Sequence, residues 1–259
     1  MSMEVCVLGS GSSGNSIYVR KGQTRVLIDA GLVGKRIGER LVSISVDPSE
    51  LQAIVVTHEH TDHIKGVGVL ARRFGVPIWM TEGTFNSGKK WFRGHERIHL
   101  FGNDENFNVG DLSFQPFALS HDAADPVNFL VREGDQVLGI ATDMGTVTHL
   151  VYERLKIADL VVIEANYDRD LLMNGPYPWN LKRRISGSRG HLSNDRAAET
   201  LCRLAQDGLE HAILAHLSDK NNQPHLARRT CRGNLNQLGF PDLRLTVAEQ
   251  DRPSAVFAV

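Results

Sequence analysis

The sequence predicts an α/β protein of a single domain, residues 1–259, with two β-sheets packed together and helices outside. Two observations carry this. Short apolar segments pair into hairpins and alternate with helical segments in both halves of the chain. No linker rich in glycine, proline or charge divides those halves. Hydrophobic residues make up 41% and charged residues 23%, an ordinary globular composition with room for such a core.

The elements follow in order. Val5–Leu8 is apolar and reads as a buried strand, and "GSGSSGNS" (9–16) as a Gly/Ser loop. "IYVRKGQTRVLID" (17–29) is a hairpin turning at 21–23. A helix is predicted over 35–42. "LQAIVVT" (51–57) is rich in β-branched residues and reads as a core strand. A helix is expected from about His63 to Phe74, then a short strand at 77–80. The segment 98–142 reads as strands, and 127–143 is a second hairpin turning at 133–135. "ADLVVIEAN" (158–166) is another buried strand. The polar stretch 166–192 is expected to be one long structured loop. Ser193 is an N-cap for a helix with Ala197, Leu201, Leu204 and Ala205 on one face and Gly208 at its end. "HAILAH" (211–216) is a last core strand, and 224–238 is helical.

Several function classes are excluded or disfavoured. The formal net charge is −1, so any basic footprint for nucleic acid has to be local. Cys6, Cys202 and Cys231 are odd in number, far apart and without CxxC spacing, which implies neither a disulfide framework nor a thiolate metal site. No signal peptide and no membrane-length apolar run is seen, so a cytoplasmic protein without membrane partners is expected. The opening glycines lack GK[ST] and lead into a hairpin, which argues against a nucleotide cofactor. Their expected role is to let the backbone pass close under the functional site, with Asn15 lining it.

"THEHTDH" (57–63) directly follows a buried strand. His58 and His60 are two apart, so extended backbone turns both rings to one side, within reach of one ion. Asp62 and His63 follow as the chain turns into a helix, and can point at a second ion. Imidazole with carboxylate is a ligand set for Zn, Mn or Fe. Further ligands have to come from other strand ends. His121 ends "LSFQPFALSH", Asp143 ends "QVLGIATD", His216 ends "HAILAH" and Asp29 ends "TRVLID".

This order of Asp, HxHxDH, His, Asp and His resembles that of metallo-β-lactamase-fold hydrolases, along nearly the whole chain. The resemblance implies an αββα sandwich of two similar halves, with two divalent metal ions at one edge. It implies that His58, His60 and His121 bind one metal, that Asp62, His63 and His216 bind the other, and that Asp143 bridges them. Asp29 is expected to orient a ligand of the motif from behind. Two such ions activate water as a nucleophile and clamp the substrate oxygens. Asp62 is also expected to orient that nucleophile.

The interval between Asp143 and His216 is too short for the large inserted domain of RNase J-type nucleases and is expected to hold only a loop and a helix. Within it lie Lys182, Arg183, Arg184 and Arg189, with Tyr177 and Trp179 beside them. Cations bind phosphates and flat rings stack on bases, so these four cations are candidate substrate contacts, against the plainer reading of a solvated basic helix. "GHLSND" (190–195) resembles the catalytic histidine loop of tRNase Z. That likeness makes His191 a catalytic proton donor or phosphate contact and Glu164 the residue that orients it. Lys89, Lys90, Trp91, Phe92 and Arg93 form a second basic-aromatic cluster, equally readable as a helix end.

"LGSGSSGNS", "THEHTDHIKGVGVLARRFGVPI", "EANYD", "GPYPWNLKRRISGSRGHLSN" and "LAHLS" together resemble the WalJ/YycJ group of the superfamily. That likeness implies a DNA substrate and a 5′ to 3′ exonuclease. The residues alone argue for a phosphodiester hydrolase. A glyoxalase II-like thioester hydrolase, a small-substrate phosphodiesterase and a non-catalytic scaffold remain as alternatives.

Overall fold

The structure, a computed structural model, describes residues 2–259. The first half contains β1 (Glu4–Gly9), β2 (Ser16–Lys21), β3 (Thr24–Ile28), α1 (Gly34–Ser43), β4 (Ala53–Val55), α2 (Thr61–Ile64), α3 (Val67–Phe74), β5 (Ile78–Thr81), α4 (Glu82–Gly88) and β6 (Ile98–Phe101). The second half contains β7 (Phe107–Val109), β8 (Leu112–Ala118), β9 (Val127–Glu133), β10 (Gln136–Ala141), α5 (His149–Leu155), β11 (Leu160–Glu164), α6 (Arg169–Asn174), α7 (Trp179–Ser186), α8 (Asn194–Gln206), β12 (His211–Ala215), α9 (Pro224–Gln237), β13 (Arg244–Val247) and β14 (Phe257–Ala258).

These strands form two seven-stranded mixed sheets. One runs β14-β1-β2-β3-β4-β5-β6 and the other β13-β12-β11-β10-β9-β8-β7. Strand periodicity sorts the side chains. Val5 and Val7 of β1 and Val162 of β11 meet in the core between the sheets. Cys6 and Leu8 instead face Ile37, Leu41 and Leu70 of α1 and α3. Val161 and Ile163 face Leu155, Leu201, Leu204 and Leu235 of α5, α8 and α9. Both faces of each sheet are therefore covered, which is why the central strands read as continuous apolar runs. The layers are α, β, β, α, as the sequence predicts.

Four differences from the expectation have physical causes. The helix expected over 63–74 is two helices. The break spans Lys65 and Gly66, where a Cβ on Gly66 would lie 2.4 Å from Leu32 O. The stretch 166–192 is not one loop but holds α6 and α7. Asp168 caps α6 by accepting from Asp170 N and Leu171 N, and only Leu172 of that helix is buried apolar, so no periodicity announced it. The interval between Asp143 and His216 accordingly holds α5, β11, α6, α7, α8 and β12. Finally, α4 and α5 begin at Thr81 and Thr148, whose hydroxyls accept from Thr84 N and Val151 N. Among the described residues, no helix is long and apolar enough to cross a membrane.

Candidate metal centre

The parallel pairs align the C-terminal ends of strands from both sheets at one edge. Ile28 lies opposite Val55, Ala141 opposite Ile163, and Glu164 opposite Ala215. The residues just beyond these ends are Asp29, His58, Asp143 and His216. Asp29, Asp143 and His216 have φ of 61°, 57° and 55°, the left-handed region that non-glycine residues enter at some cost. Each strand thus turns sharply and leaves its polar side chain at the edge. The Gly/Ser loop passes beneath. Asn15 N donates to Asp62 O at 2.8 Å, and a Cβ on Gly31 would collide with that same carbonyl. Only glycine permits this approach.

His58, His60 and His121 converge. His60 Nδ1 lies 3.1 Å from His58 Nε2 and 3.2 Å from His121 Nε2. The remaining nitrogens are committed elsewhere. His58 Nδ1 donates to Thr57 Oγ1 at 2.9 Å, and Thr57 Oγ1 donates to Asp29 Oδ2 at 2.8 Å. His121 Nδ1 donates to Gly190 O at 3.2 Å. Two lone pairs therefore face His60 Nδ1, which can donate to at most one of them. A cation bonded at about 2.0–2.1 Å to each nitrogen would hold them about this far apart. Burial keeps His58 well below the usual imidazole range, with the neighbouring His63 adding to it. Burial likewise lowers His121, so both favour the neutral form that ligates metal.

A second group abuts the first. His63 Nδ1 donates to Asp29 Oδ2 at 2.7 Å, which leaves Nε2 3.2 Å from Asp143 Oδ2 and 3.5 Å from Asp62 Oδ2. His216 Nε2 lies 3.3 Å from Asp62 Oδ2. Asp143 Oδ2 is buried without a well-formed hydrogen bond, with His63 Nε2 beside it. Burial opposes ionisation of Asp143, but His216 and His63 outweigh it and hold the carboxyl well below its usual range. Asp62 is likewise lowered against its own burial, chiefly by His63. In return Asp143 raises His63, and it raises His216 to about 10, again against burial. Concentrated negative charge here draws protons onto imidazoles, and a divalent cation would satisfy the same demand. The donor set fits two such ions.

Glu164 is fully buried, and its Oε1 accepts from His216 Nδ1 at 2.7 Å and from His191 Nδ1 at 2.8 Å. Its Oε2 accepts from Met144 N and Leu192 N. Burial opposes its ionisation, but His191 and His216 keep it an anion. One carboxylate thus orients both rings. His191, raised by Glu164 against its own burial, lines a cleft of about 350 Å³ together with His60, Asp62, Asp143 and His216.

The predicted substrate contacts scatter. Lys182 is buried and donates to Met173 O at 2.7 Å, tying α7 to α6, so it is not free for phosphate. Arg189 donates to His121 O at 3.1 Å and so steadies that loop instead. Arg184 does line the cleft, but its Nε is engaged with Asp122 Oδ2 at 2.6 Å. Arg183 is exposed. Asn15 is buried behind the cleft, with Nδ2 3.2 Å from Asp62 Oδ2 and 3.1 Å from His63 Nε2, so it contacts these side chains instead of lining the cleft. Sequence reasoning missed Thr57, Asn166 and Asp122. Thr57 adjoins the motif and Asn166 lies in "EANYD", but only the structure reveals that Asn166 Nδ2 donates to His216 O at 2.7 Å.

Comparison with known proteins agrees with this fold. The beta-lactamase superfamily domain matches residues 24–217. The exodeoxyribonuclease WalJ of Streptococcus pneumoniae is 39% identical over 245 residues, covering 93% of this chain and 90% of its own. The exodeoxyribonuclease YycJ of Bacillus anthracis is 37% identical over 251 residues, covering 93% and 92%. Among solved structures, the metallo-beta-lactamase fold protein YhfI of Bacillus subtilis superposes with a TM-score of 0.76 at 17% identity, covering 99% of this chain and all of its own. With the strand ends that carry the candidate ligands on one edge and near-complete coverage by these relatives, the chain belongs to the metallo-beta-lactamase superfamily, in the family of WalJ and YycJ.

Proposed function

We propose that the protein is a single-domain, two-metal phosphodiester hydrolase that degrades DNA from a 5′ end towards the 3′ end. The observation that carries the hydrolase is the pair of abutting groups of metal-ligating side chains, with Asp143 Oδ2 unpartnered between them. The relatives named as exodeoxyribonucleases support DNA as substrate. A cytoplasmic location follows from that reading.

His58, His60 and His121 would hold one ion and Asp62, His63 and His216 the other, with Asp143 reaching both. When bound, Zn, Mn or Fe would supply an activated water and neutralise charge gathering at phosphorus. The chain's own residues do the rest. Asp29 fixes the ring of His63 directly and that of His58 through Thr57. Asp62 offers a carboxylate at the cleft to orient the attacking water. Glu164 fixes His191 through Nδ1, so Nε2 carries the other proton and can pass it to the departing alcohol oxygen. Arg184, on α7 at the cleft wall, is placed to meet a phosphate if its pairing with Asp122 opens.

The test compares end-labelled linear duplex with a covalently closed circle of the same sequence, with manganese added. Shortening of the linear form alone, with label released first from the 5′ end, is the expected result. Cutting of the circle would replace the exonuclease with an endonuclease. Hydrolysis of an aryl phosphodiester without action on either DNA would leave a small-substrate phosphodiesterase.

A further inference from the structure

We infer that a second cleft, beside the catalytic one, is a track for the nucleic-acid backbone, a reading that rests on the DNA substrate proposed above. This cleft, of about 520 Å³, is lined by Ser13, Lys35, Arg36 and Lys65, with Glu39 and Asp251 as its acidic members. It adjoins the catalytic cleft through consecutive residues, since Ser12 lines one and Ser13 the other. The ridge between them is braced by Gln250, which accepts from Ser13 N and donates to Gly14 O, each at 2.8 Å. The two clefts also share α2. Thr61 opens that helix in the catalytic cleft and Lys65 follows its end in the second. A four-residue helix rises about 6 Å, close to two nucleotides at roughly 3.4 Å each along one strand.

The three cations have little to do for the fold. Lys35 is exposed and has only Glu39, at 3.8 Å, for a partner. Arg36 and Lys65 are exposed and make no ion pair or side-chain hydrogen bond among the described residues. Lys35 and Arg36 stand in the first turn of α1, where positive charge opposes the helix dipole and no acid offsets it. Two unpaired cations, and a third held only by an exposed pairing at 3.8 Å, along a cleft that continues the catalytic one suit a polyanion with regularly spaced charges. The basic run on α7 suits it less, because Lys182 is buried on Met173 O and Arg184 is held by Asp122 at 2.6 Å, which leaves Arg183 alone exposed and unpaired there among the described residues.

The test is the variant Lys35→Gln/Arg36→Gln/Lys65→Gln beside the wild type, both with manganese. Hydrolysis of linear duplex is followed from about 50 to 200 mM salt, and bis(4-nitrophenyl) phosphate is hydrolysed in parallel as a substrate too small to reach the second cleft. The variant is expected to keep its rate on the small substrate within about twofold and to lose at least about tenfold in kcat/KM on duplex. The slope of log kcat/KM against log salt is expected to flatten by roughly 0.9 for each phosphate that the variant no longer neutralises. An unchanged duplex rate and slope would overturn the track. So would equal loss on both substrates, which would mean damage to the catalytic centre. If the wild type hydrolyses the small substrate but no DNA, the DNA reading itself fails and takes the track with it.

Discussion

One oxygen of Glu164 holds the rings of His216 and His191, and this shared anchor separates two roles that neighbouring imidazoles could otherwise confuse. His216 turns Nε2 towards Asp62, while His191 stands at the cleft without belonging to either proposed ligand trio. Substitutions should therefore part along that line. His60→Ala should lose bound metal and activity together. His191→Ala should retain its metal, measured by elemental analysis, while turnover falls by roughly 10²–10⁴-fold. A fully active His191→Ala would remove the histidine from the chemistry. At this scale the sequence was informative where chemistry demands costly residues. Three histidines and an aspartate in "THEHTDH" have no cheap structural reason to sit at a buried strand end. The cations of the second cleft were not legible, because Lys65 lies about thirty residues from the Lys35–Arg36 pair and only folding brings them together.

Among the elements, strands were legible and short helices were not. Burial on both faces forces long apolar runs, whereas α6 and α7 are held by a cap, Leu172 and the amine of Lys182, which no periodicity reports. "KRR" read as a basic face because three like residues stood together, yet the helix turns the first inward and the next two outward. Lys182→Met should accordingly lower stability by about 1–2 kcal/mol in denaturant melts, by leaving Met173 O unpaired, with little change in DNA affinity. A larger effect on affinity than on stability would return Lys182 to the substrate. On β12, His211 is buried with Nδ1 unpartnered and Nε2 3.2 Å from Thr246 Oγ1. Burial, with Arg244 adding to it, lowers its pKa from 6.5 to about 4. The neutral ring is favoured in the fold, so its contribution is complete above pH 6.5 and is lost as pH falls towards 4, roughly 3 kcal/mol in all. His211→Gln should flatten that part of the stability–pH curve of the metal-free protein. A curve identical to wild type would assign the acid sensitivity elsewhere.

At the scale of the molecule, two half-sandwiches contribute to one edge. The first sheet supplies Asp29 and the motif, and the second supplies His121, Asp143, Glu164 and His216. The interdigitated apolar core between the sheets fixes the two sets of donors against each other, so neither half holds the whole centre. The layer order was readable from hairpins alternating with helices. The partition of the candidate ligands into two groups was already implied by the family resemblance, whereas the hold of Glu164 on His216 as well as His191 required the coordinates. The most direct test of the account is the number of divalent ions bound per chain, from elemental analysis and titration of chelator-treated protein. Two ions are predicted for the wild type, with activity returning only as the second site fills. One ion supporting full activity, or full activity with none, would contradict the two-metal centre.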